Sequence, residues 1–375
     1  MKPRIRELRP SDMAAYVDLC ASRRELDRRA AEARAELVEW IAFHNPDADG
    51  NPTYFVVELG DRLMGHLGRM PTRFSIEGQP HLASYVHDLF VHPELVGVGQ
   101  GFFLSMQLYR EAERASQSFC ALVWTNEINL ALQKARKYHP MWADRRVKLL
   151  RADTQIDKLG SQMGSVFDLP LVKSAGKTVA SAALRTADGI LQGVGFGWRS
   201  AGVTRAKAAK LVQIDRFDRR FDGFAERLAG RLAIHPVKSS AYLNWKYTDR
   251  PQLESVHYAA MDDRGQICGL VVVCVPDSEF RESFILELCA DPEDRATVAL
   301  LIKRAVDHCR RAGAYTIQCM ATDPRMIAVL ERFLFVPRPP KEPFFLANPD
   351  RYSRPAVLRA VDNWHLSAGD SEGTV

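Results

Sequence analysis

Apolar and polar positions alternate over Ile5-Arg6-Glu7-Leu8, which predicts a short strand. Pro10-Ser11-Asp12 then signals a helix start, with Ser11 placed to cap the apolar-periodic run Met13 to Cys20. From Arg23 to His44 the apolar residues Leu26, Ala30, Ala33, Leu37 and Ile41 recur at helical spacing until Asn45-Pro46. Thr53 to Leu59 and Arg62 to Met70 flank Gly60-Asp61 as the arms of a hairpin, and Phe74 to Gln79 adds an excursion around Gly78. Ala83 to Val91 is a further strand. After a glycine-rich turn, Phe103, Leu104, Leu108, Ala112 and Ala115 trace one side of a helix, and Phe119 to Trp124 is a strand again.

The pattern loosens over 151–210, where Gly160, Gly164, Pro170, Gly176 and Gly189 precede Gly193-Val194-Gly195-Phe196-Gly197; this reads as a connecting segment with one helix near 175–191. Regular patterning returns near Leu211. A helix is expected at Phe217 to Leu232, then the aromatic run Tyr242-Leu243-Asn244-Trp245-Lys246-Tyr247. Strands at Ser255 to Met261 and Cys268 to Val275 flank the turn Asp262-Asp263-Arg264-Gly265. A strand at Phe284 to Cys289, a helix at Ala296 to Ala312, a strand at Thr316 to Met320 and a helix to Phe333 follow. Both halves therefore read hairpin, strand, turn, helix, strand, helix, a weak internal symmetry of pattern.

At 375 residues the chain exceeds the usual span of one core, so two domains are expected. No run of eighteen apolar residues exists, which predicts no membrane span, and the N-terminus has no apolar stretch behind its basic residues; a cytoplasmic setting is the expectation. The seven cysteines contain no CxxC pair and several lie in apolar runs, so they read as reduced core residues. The net charge of +5 is concentrated in 151–210, which carries nine Lys and Arg against four Asp. That segment has no aromatic interleaving, so no nucleic-acid partner is expected. An acidic protein partner would meet the chain there.

The turn itself is Val91-His92-Pro93-Glu94-Leu95-Val96-Gly97-Val98-Gly99-Gln100-Gly101. A helix start offers unpaired N–H groups and a partial positive charge, and bare glycines let phosphate oxygens reach them. The dinucleotide fingerprint GxGxxG fails because Phe102 takes its last glycine position, and there is no GxxxxGK[ST]. The order strand, two helices, hairpin, strand ending Val-x-Pro-Glu, glycine turn, helix, strand resembles the GNAT superfamily of acyl-CoA-dependent N-acyltransferases over residues 1 to about 145. The turn is similar to that family's pyrophosphate motif, with Val96, Gly99 and Gly101 at the Arg/Gln-x-x-Gly-x-Gly/Ala positions. Gly60-Asp61 before Leu63-Met64-Gly65 fits the usual hairpin, and Thr125-Asn126 resembles the asparagine that opens the next helix. The residues after Tyr242 resemble a run found in two-domain bacterial members.

The resemblance implies an α/β fold of two GNAT-like domains, each a mixed, mostly antiparallel central sheet flanked by helices, the second degenerate. The boundaries expected are 1–150 for the acyl-CoA-binding domain, 151–210 for the basic connection, 211–350 for the degenerate domain and 351–375 for a C-terminal tail, with Asp370 in a flexible stretch. It implies acyl-CoA as co-substrate and no metal. The backbone of Leu89, Phe90 and Val91 would pair with the pantetheine arm beside a splay between strands, while Val96, Gly97, Val98, Gly99, Gln100, Gly101 and Asn126 complete the cofactor set. Val96 replaces a commonly charged or amide side chain. A charge-assisted hydrogen bond is worth about 1.5–3 kcal/mol, or roughly tenfold or more in affinity, so binding is weakened while the main-chain donors of Gly97 to Gly101 survive. In the second half Asp291-Pro292-Glu293-Asp294 caps a helix but repels a pyrophosphate, so one nucleotide-type site is expected.

Acyl transfer to an amine needs a neutral amine, a donor near the carbonyl oxygen and a proton for the thiolate. Asp88 or His87 is a candidate base, directly or through water; strand alternation sets Asp88 and Phe90 opposite His87 and Leu89 unless a bulge intervenes. The family's acid, a tyrosine about seven residues beyond the asparagine, corresponds to Gln133, and the nearest tyrosine is Tyr138, at a helix end. His81, His87 and His92 lack metal-ligand spacing, and there is no GxSxG elbow. Trp245 with Tyr242 and Tyr247 reads as core or as one wall of a pocket. The function expected is transfer of an acetyl or longer acyl group from CoA to a primary amine of a small metabolite, amino sugar or amino-acid-like. Alternatives are an acyl carrier protein as donor, a non-catalytic acyl-CoA-binding scaffold, and a Fem-type aminoacyl transferase. The oligomeric state is not written in the sequence.

Overall fold

The computed structural model describes residues 2–23, 26–124, 129–150, 209–274, 281–339 and 342–370. The predicted helix near 175–191, nearly all of the basic connection and Asn126 lie outside them.

In the first half, β1 (Arg4–Glu7) pairs with β2 (Tyr54–Leu59), and helices α1 (Met13–Ala21) and α2 (Arg28–His44) lie between them in sequence. Ser11 does not cap α1, because it sits inside a 3-10 turn, Pro10–Asp12. Asp12 there accepts from the Arg9 amide at 2.8 Å and pairs with Arg6 at 2.6 Å. α2 is capped by Asp27, whose carboxylate accepts from the Ala30 amide at 2.8 Å. The hairpin continues β2 into β3 (Arg62–Ile76) and β4 (Gln79–Val91). The excursion around Gly78 is a tight turn at the tip of these two long strands, with Glu77 and Gly78 both at positive φ.

Beyond β4 come the short helix α3 (Pro93–Gly97), α4 (Gly101–Ala115), β5 (Ala121–Trp124), α5 (Leu130–Ala135) and β6 (His139–Leu149). On α4 the inward face is Leu104, Ser105, Leu108, Tyr109 and Ala112, whereas Phe103 and Ala115 turn outward. The second half starts with β7 (Lys210–Ile214), α6 (Arg220–Ala229) and β8 (Ile234–Pro236). Next are β9 (Ser255–Met261), β10 (Ile267–Cys274), β11 (Glu282–Ala290), α7 (Arg295–Arg311), β12 (Thr316–Ala321), α8 (Pro324–Arg332), β13 (Val336–Pro337) and β14 (Glu342–Ala347). Each half thus contains an antiparallel hairpin leading into a right-sized β-α-β unit whose strands, β4–β5 and β11–β12, are the parallel pairs among the described strands.

The halves share one sheet. Its order is β1-β2-β3-β4-β5-β14-β6-β12-β11-β10-β9-β7, so β14, late in the chain, inserts between β5 and β6, and β6 pairs with β12 of the second half. The tip of the β3–β4 hairpin is held in turn by β8. Four apolar clusters cover the sheet's faces; the largest lies under α1 and α2 and includes Trp245, Leu358, Trp364 and Leu366. Trp245 stacks on Trp40 with ring centroids 4.3 Å apart, so it belongs to this core.

The C-terminal stretch is not a free tail. Residues 355–370 run across the first half, with Trp364 buried and donating its indole N–H to the Leu358 carbonyl at 2.8 Å. Asp370 is fully buried, and its carboxylate lies 2.8 Å from Lys238 Nζ, which also pairs with Glu287 at 2.6 Å. The Tyr247 hydroxyl donates to Glu287 at 2.9 Å, and the Ser367 amide donates to Asp370. Burial works to lower the Lys238 amine, but its two carboxylates hold it well above the ordinary lysine value. Lys238→Met would leave both carboxylates buried without their shared cation, and is expected to destabilise the fold by about 3–5 kcal/mol, measured by chemical denaturation.

Candidate functional site

Between β4 and β5 the pairing is short. Among the described residues Ser84, Tyr85 and Val86 face Ala121, Leu122 and Val123, and β4 continues to Val91. Leu89, Phe90 and Val91 lie beyond that described pairing. On its other side β5 is occupied by β14, and Trp124 at its end donates its indole N–H to the Asp370 carbonyl at 3.1 Å.

β4 carries a bulge before that segment. Against β3, the register steps from Gly68↔His87 to His66↔Phe90, and Asp88 lies in the left-handed region at φ 53°. The extra residue turns His87, Asp88 and Phe90 to one face, toward α1 and α2, and leaves Leu89 and Val91 on the face under α4. The strict alternation that would separate His87 from Asp88 is broken here. Gly68 is required opposite, because a Cβ at that position would come within 2.3 Å of the His87 ring.

Three basic side chains converge on Asp88. Arg34 of α2 approaches to 2.6 Å, His66 Nε2 of β3 to 3.2 Å, and Arg23, just beyond α1, to 3.5 Å. Tyr16 stacks on His66 at 5.2 Å, and the Tyr54 hydroxyl lies 3.5 Å from His87 Nδ1. Burial acts to raise the Asp88 carboxyl, yet His66 and Arg34 outweigh it and hold the group well below the usual carboxylate range. A carboxylate so stabilised is a poor proton acceptor, and Asp88 instead anchors the bulge. None of Arg23, Arg34, Tyr54 or His66 was singled out in the sequence. A histidine inside the apolar run Leu63 to Leu67 was the available signal.

The glycine turn is open. Gly99 has φ 77°, and a Cβ on Gly97 or Gly99 would meet nothing within 4 Å. Three of its main-chain donors are spent internally, however: the Val98 and Gly99 amides donate to Val96 O, the latter at 2.9 Å, and the Gln100 amide to Leu95 O at 2.9 Å. Gln100, at the N-cap of α4, makes no side-chain cap. At the head of α4 the first-turn amides, Gly101 to Phe103, have no preceding helical turn to pair with. Around them Val96, Val98, Phe102 and Phe103 expose between 53% and 68% of their surface.

Tyr138 is occupied elsewhere. It is buried, accepts from Arg136 Nε at 2.7 Å and donates to Glu113 of α4. Burial and the Glu113 charge push its phenol far up, so it holds its proton as part of the packing under α4. Gln133 is buried too, donating to the Tyr109 hydroxyl at 2.8 Å.

The corresponding place in the second half is closed by the chain itself. β11 and β12 pair from Glu282↔Thr316 to Ile285↔Cys319 and then part. Ser367 enters the gap, bridging to Ala321 and accepting from the Leu288 amide at 3.3 Å. Asp294 caps α7, accepting from the Thr297 amide at 3.1 Å. Among the described residues no cluster of His, Cys, Asp or Glu suits a metal ion, and no helix is long and apolar enough to cross a membrane.

The amino-acid sequence matches no protein-family model and no curated protein. Solved structures do match. One from Enterococcus faecalis V583, described as a probable N-acyltransferase, has a TM-score of 0.54 at 10% identity; the match covers 84% of this chain and 64% of that one, so this chain spans under two thirds of its length. A GCN5-related N-acetyltransferase from Anabaena variabilis has a TM-score of 0.57 at 10% identity, covering 92% and 72%. Saccharomyces cerevisiae N-myristoyltransferase with bound myristoyl-CoA has a TM-score of 0.53 at 12% identity, covering 92% and 82%. The chain has the GNAT fold, and the likeness extends over both halves.

The Asp88 cluster carries a pH signature. A depressed carboxyl contributes stability that is present above its unfolded value, near 3.8, and is lost as pH falls toward the lower folded value. Asp88→Asn is therefore expected to be less stable than the native chain by a constant margin from pH 8 to pH 5, narrowing only below about 3.8, as followed by denaturant melts across pH.

Proposed function

We propose that the chain is an acyltransferase that moves an acetyl or longer acyl group from CoA to a primary amine of a small metabolite. The observation that carries this reading is the His87–Asp88 bulge in β4, followed along the chain by Leu89 to Val91, the open glycine turn and a start of α4 without a side-chain cap. On this reading the pantetheine amides pair with Leu89 to Val91, and the pyrophosphate meets the amides at the head of α4. The first half, 1–150, is the donor-binding domain. The second, 211–350, supports it and walls the acceptor side, while 351–370 ties the two together. The fold neighbours bear on this reading, since one of them is described with myristoyl-CoA bound.

The chemistry follows from that placement. The amine nitrogen attacks the thioester carbon, the C–S bond breaks, and the sulfur leaves as thiolate and takes a proton. His87 is assigned as the group that removes the amine's proton. It shares a face with Asp88, and its Nδ1 lies 3.5 Å from the Tyr54 hydroxyl. Asp88 positions the bulge and is not the base. Leu89 or Phe90 main-chain N–H would polarise the carbonyl.

A carrier protein as donor is the second reading, favoured by the four exposed apolar side chains Val96, Val98, Phe102 and Phe103 around the turn. Such a rim suits a protein surface better than a free nucleotide.

Calorimetric titration with acetyl-CoA and longer acyl-CoAs tests the donor site. Gly99→Glu, which adds a charge and strains a left-handed position, is expected to weaken binding by tenfold or more, whereas Gly99→Asn, tolerant of that backbone, retains most of it. Absence of binding to any acyl-CoA, with binding to an acylated carrier protein, would select the second reading; binding to neither would end the proposal. For the chemical step, His87→Gln is expected to lower kcat by roughly a hundredfold or more with donor affinity kept, measured by thiol release in the presence of an amine. An unchanged kcat would remove His87 from the role.

A further inference from the structure

Asp88 has more cationic partners than it needs. Arg34 at 2.6 Å and the His66 imidazole at 3.2 Å already lie against its carboxylate, which is buried. Arg23 is different: one guanidinium nitrogen sits 3.5 Å from Asp88 Oδ1, the limit of a hydrogen bond, and the side chain stays 29% exposed. Its plane is held over the Phe90 ring with the central carbon 4.9 Å from the centroid. A guanidinium has five N–H donors in a fixed fork, and among the described residues one long contact to a carboxylate engages them. Two permanent cations therefore meet one carboxylate, and the more distant of them is partly exposed to solvent beside Phe90 of β4.

We propose that Arg23 is an anion-recognition residue that binds an oxyanion carried by the amine acceptor, a carboxylate or a phosphate. The inference rests on the acyl-transfer reading for its word acceptor, and on geometry for the rest. Phe90 preorients the fork and shields one face from water, which favours a bidentate partner. Phe90 and His87 share the face toward α1 and α2. An anionic group on Arg23 would thus set an attached amine toward His87. An amino sugar without a charged group gains nothing from this cation; an amino acid or a phosphorylated amine does.

The test uses the full chain and binding rather than turnover. A panel of L-amino acids is titrated by calorimetry against the corresponding α-amides, and ethanolamine phosphate against ethanolamine. The native chain is expected to prefer the charged member of at least one pair by roughly tenfold; the amino-acid pairs report carboxylate and the ethanolamine pair phosphate. Arg23→Gln should abolish that preference, and Arg23→Lys should restore only part of it, since an ammonium lacks the fork. No preference in any pair, or a preference that survives Arg23→Gln, overturns the proposal. Thiol release from acyl-CoA is followed separately. An Arg23-dependent preference without thiol release would retire acyl transfer and keep the anion site, and thiol release without the preference would do the reverse.

Discussion

Asp88 stands in the left-handed region in the middle of a strand, and the whole site depends on what keeps it there. A non-glycine residue in that conformation costs on the order of 1–3 kcal/mol. It is offset by a buried carboxylate ringed by Arg34, His66 and Arg23. The bulge it makes has two effects at once. It rotates His87 and Asp88 onto a common face, and it sets Leu89 and Val91 on the face under α4. Gly68 completes the arrangement from the neighbouring strand by leaving room for the His87 ring.

The same topological feature occurs twice in the molecule with opposite outcomes. In both halves the parallel pair is short, three residues in the first and four in the second among the described residues. In the first half the helix that follows the upstream strand starts at an open glycine turn and without a side-chain cap. In the second, Ser367 supplies a backbone bridge and a hydroxyl, and an aspartate satisfies the helix start. The strap that fills the gap of the second half then ends at Asp370 against Lys238 and Glu287, and the Asp370 carbonyl receives the Trp124 indole at the end of β5. The second half thereby braces the first. A continuous sheet through β14 and β6 makes the two halves one mechanical unit.

Local patterns carried much of this. The Gly60-Asp61 hairpin, the strand before the turn, the glycine turn and the helix behind it were all legible, because alternation, helical spacing and turn residues act over a few positions. The misses are long-range. β6 opens with His139-Pro140 and β14 contains Pro343, and proline argues against a strand unless a partner arrives on the side where no N–H is needed. Asp370, in Ser367-Ala368-Gly369-Asp370, looks like a polar tail until Lys238, far away in sequence, is brought to it. Tyr138 looks like an available acid until Glu113 and Arg136 claim its hydroxyl.

By itself, then, the sequence determined the order of elements, the bare turn at Gly97 to Gly101 and the fold class, all of which follow from interactions between near neighbours along the chain. Tertiary structure alone decided which turn amides are spent internally, that a single extra residue at Asp88 would set two side chains on one face, and that Ser367 would fill the gap in the second half. Those outcomes depend on registers between strands and on charges contributed by α1, α2 and β3. Pairing of this kind is a property of the packed molecule, since a shift of one residue in register reverses the face of every side chain beyond it.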